Sequence, residues 1–368
     1  MKSCPPPGGS GRGVYHSDWM KPDRTMVQGC EKMLANQLTA TRAPQVSYQS
    51  STSLPGNVLA ALRFNSNPSP QEDARVLEVA LAPLAGDAHE VWTVDGEVVS
   101  GHEDNLRWSR GGGWLFCALE ADERTHGGPE GAARHAYAAI ARFVRQQPEC
   151  HVQRLWNYLG GINRGEGDDE RYKHFCHGRA VGMGDWLASG FPAATAIGHH
   201  AGEHLLQVYL LAGTSPGRRV ENPRQVSAWE YPRQYGRTSP TFSRATMLCT
   251  GDALAISGTA SVVGHATAHE GEVLAQLDET LRNLDAVLAS GSMPTGFDSQ
   301  SPLKVYVRHS DHAALIHDAL ASRLPGVPLL LLHGDICRAD LLLEIDGWRY
   351  GNNGAIPPTG TIQQPPQV

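Results

Sequence analysis

A chain of 368 residues that is 40% hydrophobic and 19% charged has the make-up of a folded protein with two to three core-sized units, not of a disordered one. Its 31 basic and 38 acidic residues leave a formal charge of −7, which argues against a protein that lives on nucleic-acid phosphates, and no apolar run approaches the ~18 residues a membrane helix needs. Seven cysteines (Cys4, Cys30, Cys117, Cys150, Cys176, Cys249 and Cys337) are odd in number and lack CxxC spacing. Neither a disulfide framework nor a zinc knuckle is expected, and a reducing cytoplasm fits. The opening MKSCPPPGGSGRG lacks the apolar stretch of a secretory signal.

Residues 1–43 are rich in Pro, Gly, Ser and basic side chains without hydrophobic period, and predict a loosely ordered extension. From Leu106, LRWSRGGGWLFCALEADE reads as a strand, a glycine turn and an apolar strand. Residues 128–147 follow as a helix with Ala133, Tyr137, Ile140, Ala141 and Val144 on one face, then VQRLWNYL (152–159) as a strand. The pattern starts again at Phe242 with FSRATMLCTGDALAISGTAS, two strands about a Gly-Asp turn. A helix over 271–290 carries Val273, Leu277, Leu281, Leu284 and Leu288 as one stripe. A strand in 303–311, a helix in 312–324 and strands in 325–335 and 339–348 complete the copy. Glycine turn and helix recur about 140 positions apart, and each copy feeds a strand holding an Arg and a Tyr: Arg154 with Tyr158, then Tyr306 with Arg308. The pattern predicts a duplicated α+β chain of mixed β-sheets with helices packed on one face. Its first domain spans 44–225 and its second 226–350; the Pro- and Gln-rich tail 351–368 lies outside any core.

Several chemical signals are weak. His200 and His204 stand one helical turn apart, as in HExxH, but Glu203 follows the first His by three and HLLQVYLLAG reads as a strand, so no metal is expected there. GGSGRG follows no strand and lacks the GK[ST] ending of a phosphate loop, and no GxSxG elbow exists. The acidic run GEGDDE (165–170) reads as a solvated loop placed to form part of a lid. Glu344 sits in LLLEIDG among apolar neighbours. Strand alternation sets it on the same face as Leu342 and Asp346, opposite Leu343 and Ile345. A carboxyl lodged there is costly unless paired or neutral.

FSRAT, ALAISGTAS, the long helix, VYVRHSDHAALIHDAL and LLLEID follow the order of the RidA/YjgF fold. The resemblance implies duplicated RidA/YjgF-like (chorismate-mutase-like) units. RidA proteins grip a substrate carboxylate with an Arg before the last strand; PGVPLLLLHGDIC has none. Residues 44–350 more specifically resemble the chorismatases, through QRLWNYLGGIN (153–163), DDERYKHFCHGRAVG (168–182), SAWEYPRQYGRTSPTFSRAT (227–246), AISGTAS (255–261) and GDICRADLLLEIDG (334–347). That family cleaves the enolpyruvyl ether of chorismate to pyruvate and a ring product. The product is a dihydroxycyclohexadiene carboxylate in one branch, and 3-hydroxybenzoate, alone or with 4-hydroxybenzoate, in others.

The resemblance implies a site. Glu344 would be the proton donor to the enolpyruvyl methylene. Cys337, seven positions before it, would mark the 3-hydroxybenzoate branch. A dianion bound by a protein of charge −7 needs a local cluster of guanidinium forks, and Arg154, Arg179 and Arg244 are the expected clamps. Tyr172 and Tyr231 would be supporting donors, and Gly258 would let substrate approach the backbone. No cofactor or metal is required, and no nucleic-acid or membrane partner is expected. Two units in one chain can form the cleft internally, so a monomer is expected. The competing expectations are a non-catalytic RidA-like sensor of a carboxylated metabolite, a diene-diol-forming chorismatase, and a zinc hydrolase at 199–204.

Overall fold

The structure is a computed structural model that describes residues 40, 42–51, 54–188 and 190–351. The expected extension (1–43) and tail (351–368) lie outside the described residues except at their inner edges. Four helices are present among these residues: α1 (Pro129–Val144), α2 (Arg171–Met183), α3 (Val273–Ser290) and α4 (Ala313–Arg323). None is long and apolar enough to cross a membrane.

Two seven-stranded sheets repeat one topology. In the first, the hairpin Leu106–Gly111/Trp114–Asp122 leads through α1 to His151–Gly160, then through α2 to the parallel strand Ala193–His199. Leu205–Gly213 then inserts antiparallel between Trp114–Asp122 and His151–Gly160. In the second, Ala245–Met247 and Ala253–Thr259 lead through α3 to Leu303–Val307, and through α4 to the parallel strand Leu329–His333. Leu343–Tyr350 inserts antiparallel between Ala253–Thr259 and Leu303–Val307. The duplication read from the glycine turns is thus a duplication of strand order. The sheets also exchange edge strands, Ala82–Ala85 joining the second and Asp335–Ile336 the first. A smaller four-stranded sheet of Gln45–Gln49, Val58–Phe64, Val76–Val79 and His89–Thr93, and a two-stranded pair of Val262–Val263 with Ala266–Thr267, complete the described fold.

Alternation along the strands sorts side chains into three layers. Leu155, Leu159, Val208 and Leu210 pack on α1 and α2, and Leu343, Ile345, Leu303 and Val305 pack on α3 and α4. The opposite faces turn toward each other and share an aromatic core of Trp92, Trp114, Trp156, Tyr209 and Trp348. Trp156 stacks on Tyr209 at 4.9 Å and lies 5.3 Å from Trp92. Each indole buries about 150–250 Å², on the order of 4–6 kcal/mol of transfer free energy before ordering costs. α1 and α2 pack closely because Gly178 and Gly182 face α1, where a Cβ would overlap the Glu130 and Arg134 carbonyls.

Candidate active site

A cavity of about 690 Å³ opens where the two sheets meet. Strand Leu343–Tyr350 sets its floor. Leu343 and Ile345 point to the helices, so Glu344, Asp346, Trp348 and Tyr350 point to the middle layer. Glu344 lines the cavity and is only 5% exposed. Burial, then the like charge of Asp346, pushes its carboxyl up to about 8, against the pull of Arg154, Arg244 and Arg338. At neutral pH the side chain is a protonated acid in reach of a ligand.

Gly258 also lines the cavity. Pairing between Ala253–Thr259 and Leu343–Tyr350 slips between Ile256 and Thr259, a bulge. There Gly258 lies against the acid, and a Cβ would overlap Glu344 Oε1. The close approach is that of the protein's own carboxyl. Gly258→Ala is therefore expected to displace the carboxyl and lower kcat on the cavity's substrate by about 10²-fold, the cost of roughly 1 Å of misplacement; steady-state kinetics with a melting curve check it, and wild-type kcat would contradict it.

Guanidinium groups line the same cavity. Arg179, on α2, donates to Thr241 O (2.7 Å). Arg244, which precedes Ala245–Met247, donates to Val226 O and to Tyr231 Oη, both at 2.8 Å. Arg338 donates to His265 O at 2.8 Å and lies 4.1 Å from the Tyr235 ring centroid. All three line the cavity, and none is ion-paired with a carboxylate among the described residues. Elsewhere Arg171, Arg224, Arg233, Arg237, Arg308 and Arg349 are each paired with Asp or Glu. Part-buried cations without counterions are costly, and an anionic ligand removes the cost.

Arg154 is a correction. It is 0% exposed and absent from the cavity wall. Its guanidinium donates to Asp346 Oδ2 (3.1 Å), Thr195 Oγ1 (2.5 Å) and Leu155 O (2.7 Å), and lies 4.4 Å over Trp156. Middle-layer residues of His151–Gly160 face the core at this depth, so the Arg154 guanidinium is enclosed and does not reach the cavity. The remaining expected residues, Tyr172, Tyr231 and Cys337, do line the cavity. Burial followed by the Glu344 charge pushes the Cys337 thiol up to about 12, and burial raises the Tyr172 phenol well above its usual value. Both are neutral here, so Cys337 is not a thiolate nucleophile.

Sequence reading missed Arg338, which immediately follows the stretch searched for a RidA-like Arg. Arg308, read from the sequence only as part of the repeat, donates to Leu341 O, Ile336 O and Arg338 O and so shapes the turn that presents Cys337 and Arg338. In the acidic run, Gly165 and Glu170 line the cavity while Asp168 pairs with Arg233. His199 bonds Leu205 O and Glu203 pairs with Arg164. Among the described residues no group of three or more His, Cys, Asp or Glu is placed to hold a metal ion.

This architecture has known counterparts. A crystal structure of a chorismatase superposes with a TM-score of 0.72 at 30% identity, over 83% of this chain and 97% of that one. Residues 90–212 match the family model for the N-terminal region of FkbO/Hyg5-like chorismatases. Fold and cavity together define an α+β enzyme of that class. A 3-hydroxybenzoate synthase of Streptomyces hygroscopicus is 36% identical over 285 residues, covering 73% of this chain and 83% of the relative. A chorismatase of Streptomyces rapamycinicus is 35% identical over 278 residues, covering 70% and 81%. The chain belongs to the chorismatase family.

Proposed function

We propose that the protein converts chorismate to pyruvate and 3-hydroxybenzoate, with Glu344 as general acid. The observation that carries this is a protonated, buried carboxyl facing a cavity with three guanidinium groups that have no carboxylate partner among the described residues. Arg179, Arg244 and Arg338 hold the two substrate carboxylates, and Tyr231, bonded to Arg244, fixes that fork. Glu344 gives its proton to the terminal enolpyruvyl carbon, and the ether oxygen's lone pair stabilises the resulting oxocarbenium ion. The ring C–O bond then breaks with its electrons going to that oxygen, which leaves as the keto oxygen of pyruvate. The neighbouring ring hydroxyl closes on the vacated carbon and loses its proton, and the Glu344 carboxylate is the base at hand. The epoxide then opens at the carbon that first bore the hydroxyl, with the C–O electrons going to oxygen; the carbon that keeps the oxygen loses its hydrogen as a proton, the oxygen gains a proton, and the aromatic product is 3-hydroxybenzoate. The sum is chorismate to the two products with no net water, cofactor or metal. Cys337, Tyr172 and Val262 favour this course by lining the cavity with neutral groups that leave little hold for an attacking water.

Incubation with chorismate, with pyruvate quantified and the aromatic product separated by chromatography, tests the reading. Equimolar pyruvate and 3-hydroxybenzoate are expected; absence of pyruvate overturns it. The acid also sets a pH dependence. A proton donor works only while protonated, so kcat/KM should hold from pH 6 to 7 and fall about tenfold per pH unit above about 8. A rate that rises through that range would mean a base, not an acid. Both walls of the cavity come from one chain, which supports action as a monomer.

A further inference from the structure

Beside the acid lies a second carboxylate that the reaction scheme above does not use. Asp346, on the same face of the strand two residues on, is 0% exposed. Its Oδ2 accepts from Thr195 Oγ1 (2.7 Å), Tyr306 Oη (2.9 Å), Trp156 Nε1 (3.0 Å) and Arg154 (3.1 Å). One oxygen collects four donors, a guanidinium among them, and so the carboxyl group is held in a single orientation. Its Oδ1 is buried without a hydrogen bond, with Lys304 Nζ 3.8 Å away. The donors come from both halves of the molecule: Arg154, Trp156 and Thr195 from the first sheet, Tyr306 from the second.

The network reaches the acid by a second route. Thr195 Oγ1, while donating to Asp346, accepts the Gly258 N–H at 3.0 Å. Gly258 is the residue against which the Glu344 carboxyl rests. Asp346 thus fixes the position of the wall as well as the local charge. Resting on the general-acid reading of Glu344, we propose that Asp346 is a positioning residue of this enzyme, a buried carboxyl group fixed by four donors beside Glu344, whose Thr195 link holds Gly258 against the acid.

The other groups facing Glu344 oppose the effect of Asp346 on its proton or are neutral. Arg154 from the first sheet, Arg244 and Arg338 favour ionisation; Cys337 is neutral and adds no countercharge. Lys304 lies on the Asp346 side, where Glu90 occupies it at 2.7 Å. The Tyr306 phenol is neutral, raised by burial and then by Asp346. Removing the Asp346 charge therefore leaves Arg154 uncompensated beside the acid, and the Glu344 proton is lost more readily.

Asp346→Asn keeps shape and removes charge. The alkaline limb of kcat/KM is expected to move down by about one pH unit or more, a loss of about tenfold at pH 9 with little change at pH 6, and KM at pH 6 is expected to stay near the wild-type value. A readout without turnover accompanies it. The neutral Glu344 carboxyl stabilises the fold at low pH, and this contribution is lost as pH rises through its folded value near 8. The melting-temperature gap between each protein and its Glu344→Gln counterpart thus widens with pH until that value; in Asp346→Asn it should stop widening about one pH unit earlier. Tyr306→Phe, a milder change, removes one donor and leaves Asp346 less compensated, so limb and gap should move up. If Asp346→Asn does not fold, Tyr306→Phe decides: an upward move supports the proposal, and no move or a downward one overturns it. A folded Asp346→Asn with limb and gap unmoved also overturns it. Should wild-type protein release no pyruvate while the gap still moves, the reaction scheme fails and the coupling of the two carboxyls stands.

Discussion

Glu344→Gln is expected to lower kcat/KM for chorismate by about 10²–10⁴-fold, the usual contribution of a positioned general acid, while chorismate affinity by titration calorimetry changes by less than about threefold. The amide keeps the shape that fits against Gly258 and cannot give a proton to carbon. The guanidinium groups of Arg179, Arg244 and Arg338 are untouched, so binding and turnover separate. The same variant should melt higher than wild type at pH 8, by on the order of a few °C. It removes a carboxyl that burial and Asp346 hold far from its preferred ionisation state. A variant that keeps wild-type pyruvate release, or one that loses chorismate along with turnover, would refute the assignment of the acid.

The largest stability effect is expected at Lys304, an ammonium 1% exposed that pairs with the fully buried Glu90 at 2.7 Å. Burial pulls its pKa down, but Asp346 and Glu90 together hold it above the ordinary value. Glu90 comes from the four-stranded sheet and also accepts from Trp92 Nε1 at 2.7 Å. The pair therefore ties that sheet to the second seven-stranded one through the aromatic core. Lys304→Met leaves the buried Glu90 without its cation, and should cost about 3–5 kcal/mol in chemical denaturation. The double variant Glu90→Gln/Lys304→Met should recover most of that, since the loss comes chiefly from the orphaned partner. Additive losses in the double variant would contradict this account.

Much of the fold was legible because the repeated unit carries strong periodic signals. The helices expected over 128–147, 271–290 and 312–324 appear as Pro129–Val144, Val273–Ser290 and Ala313–Arg323. α2 gave no such signal: Phe175 and Cys176 pack into the core while Gly178 and Gly182 meet α1 and Tyr172 and Arg179 meet the cavity, so no single apolar stripe forms. The strands before Leu106 went unread, being short and separated by irregular loops. Alternation in LLLEIDG sets Glu344 on the face opposite Leu343 and Ile345, and the family resemblance singled it out as the acid. Arg154 follows the same alternation, yet alternation gives only the face and not the depth. Its guanidinium is enclosed by Trp156, Thr195 and Asp346, partners far from it in sequence. Arg338 lay within a block matched to the family but one residue beyond the stretch searched.

The shared strand order has one more outcome. Tyr158 of the first sheet and Tyr306 of the second meet through their hydroxyls at 3.1 Å, and opposite them in register stand Gln207 and Glu344. Gln207 is sealed, holding Ala80 N, Glu78 O and Glu120, so only one of the two mirrored positions is open to a ligand. Titration should saturate at one chorismate per polypeptide. Because the residues that enclose it are covalently continuous, specific activity should also stay constant on serial dilution, where a crevice between separate subunits would vanish by mass action.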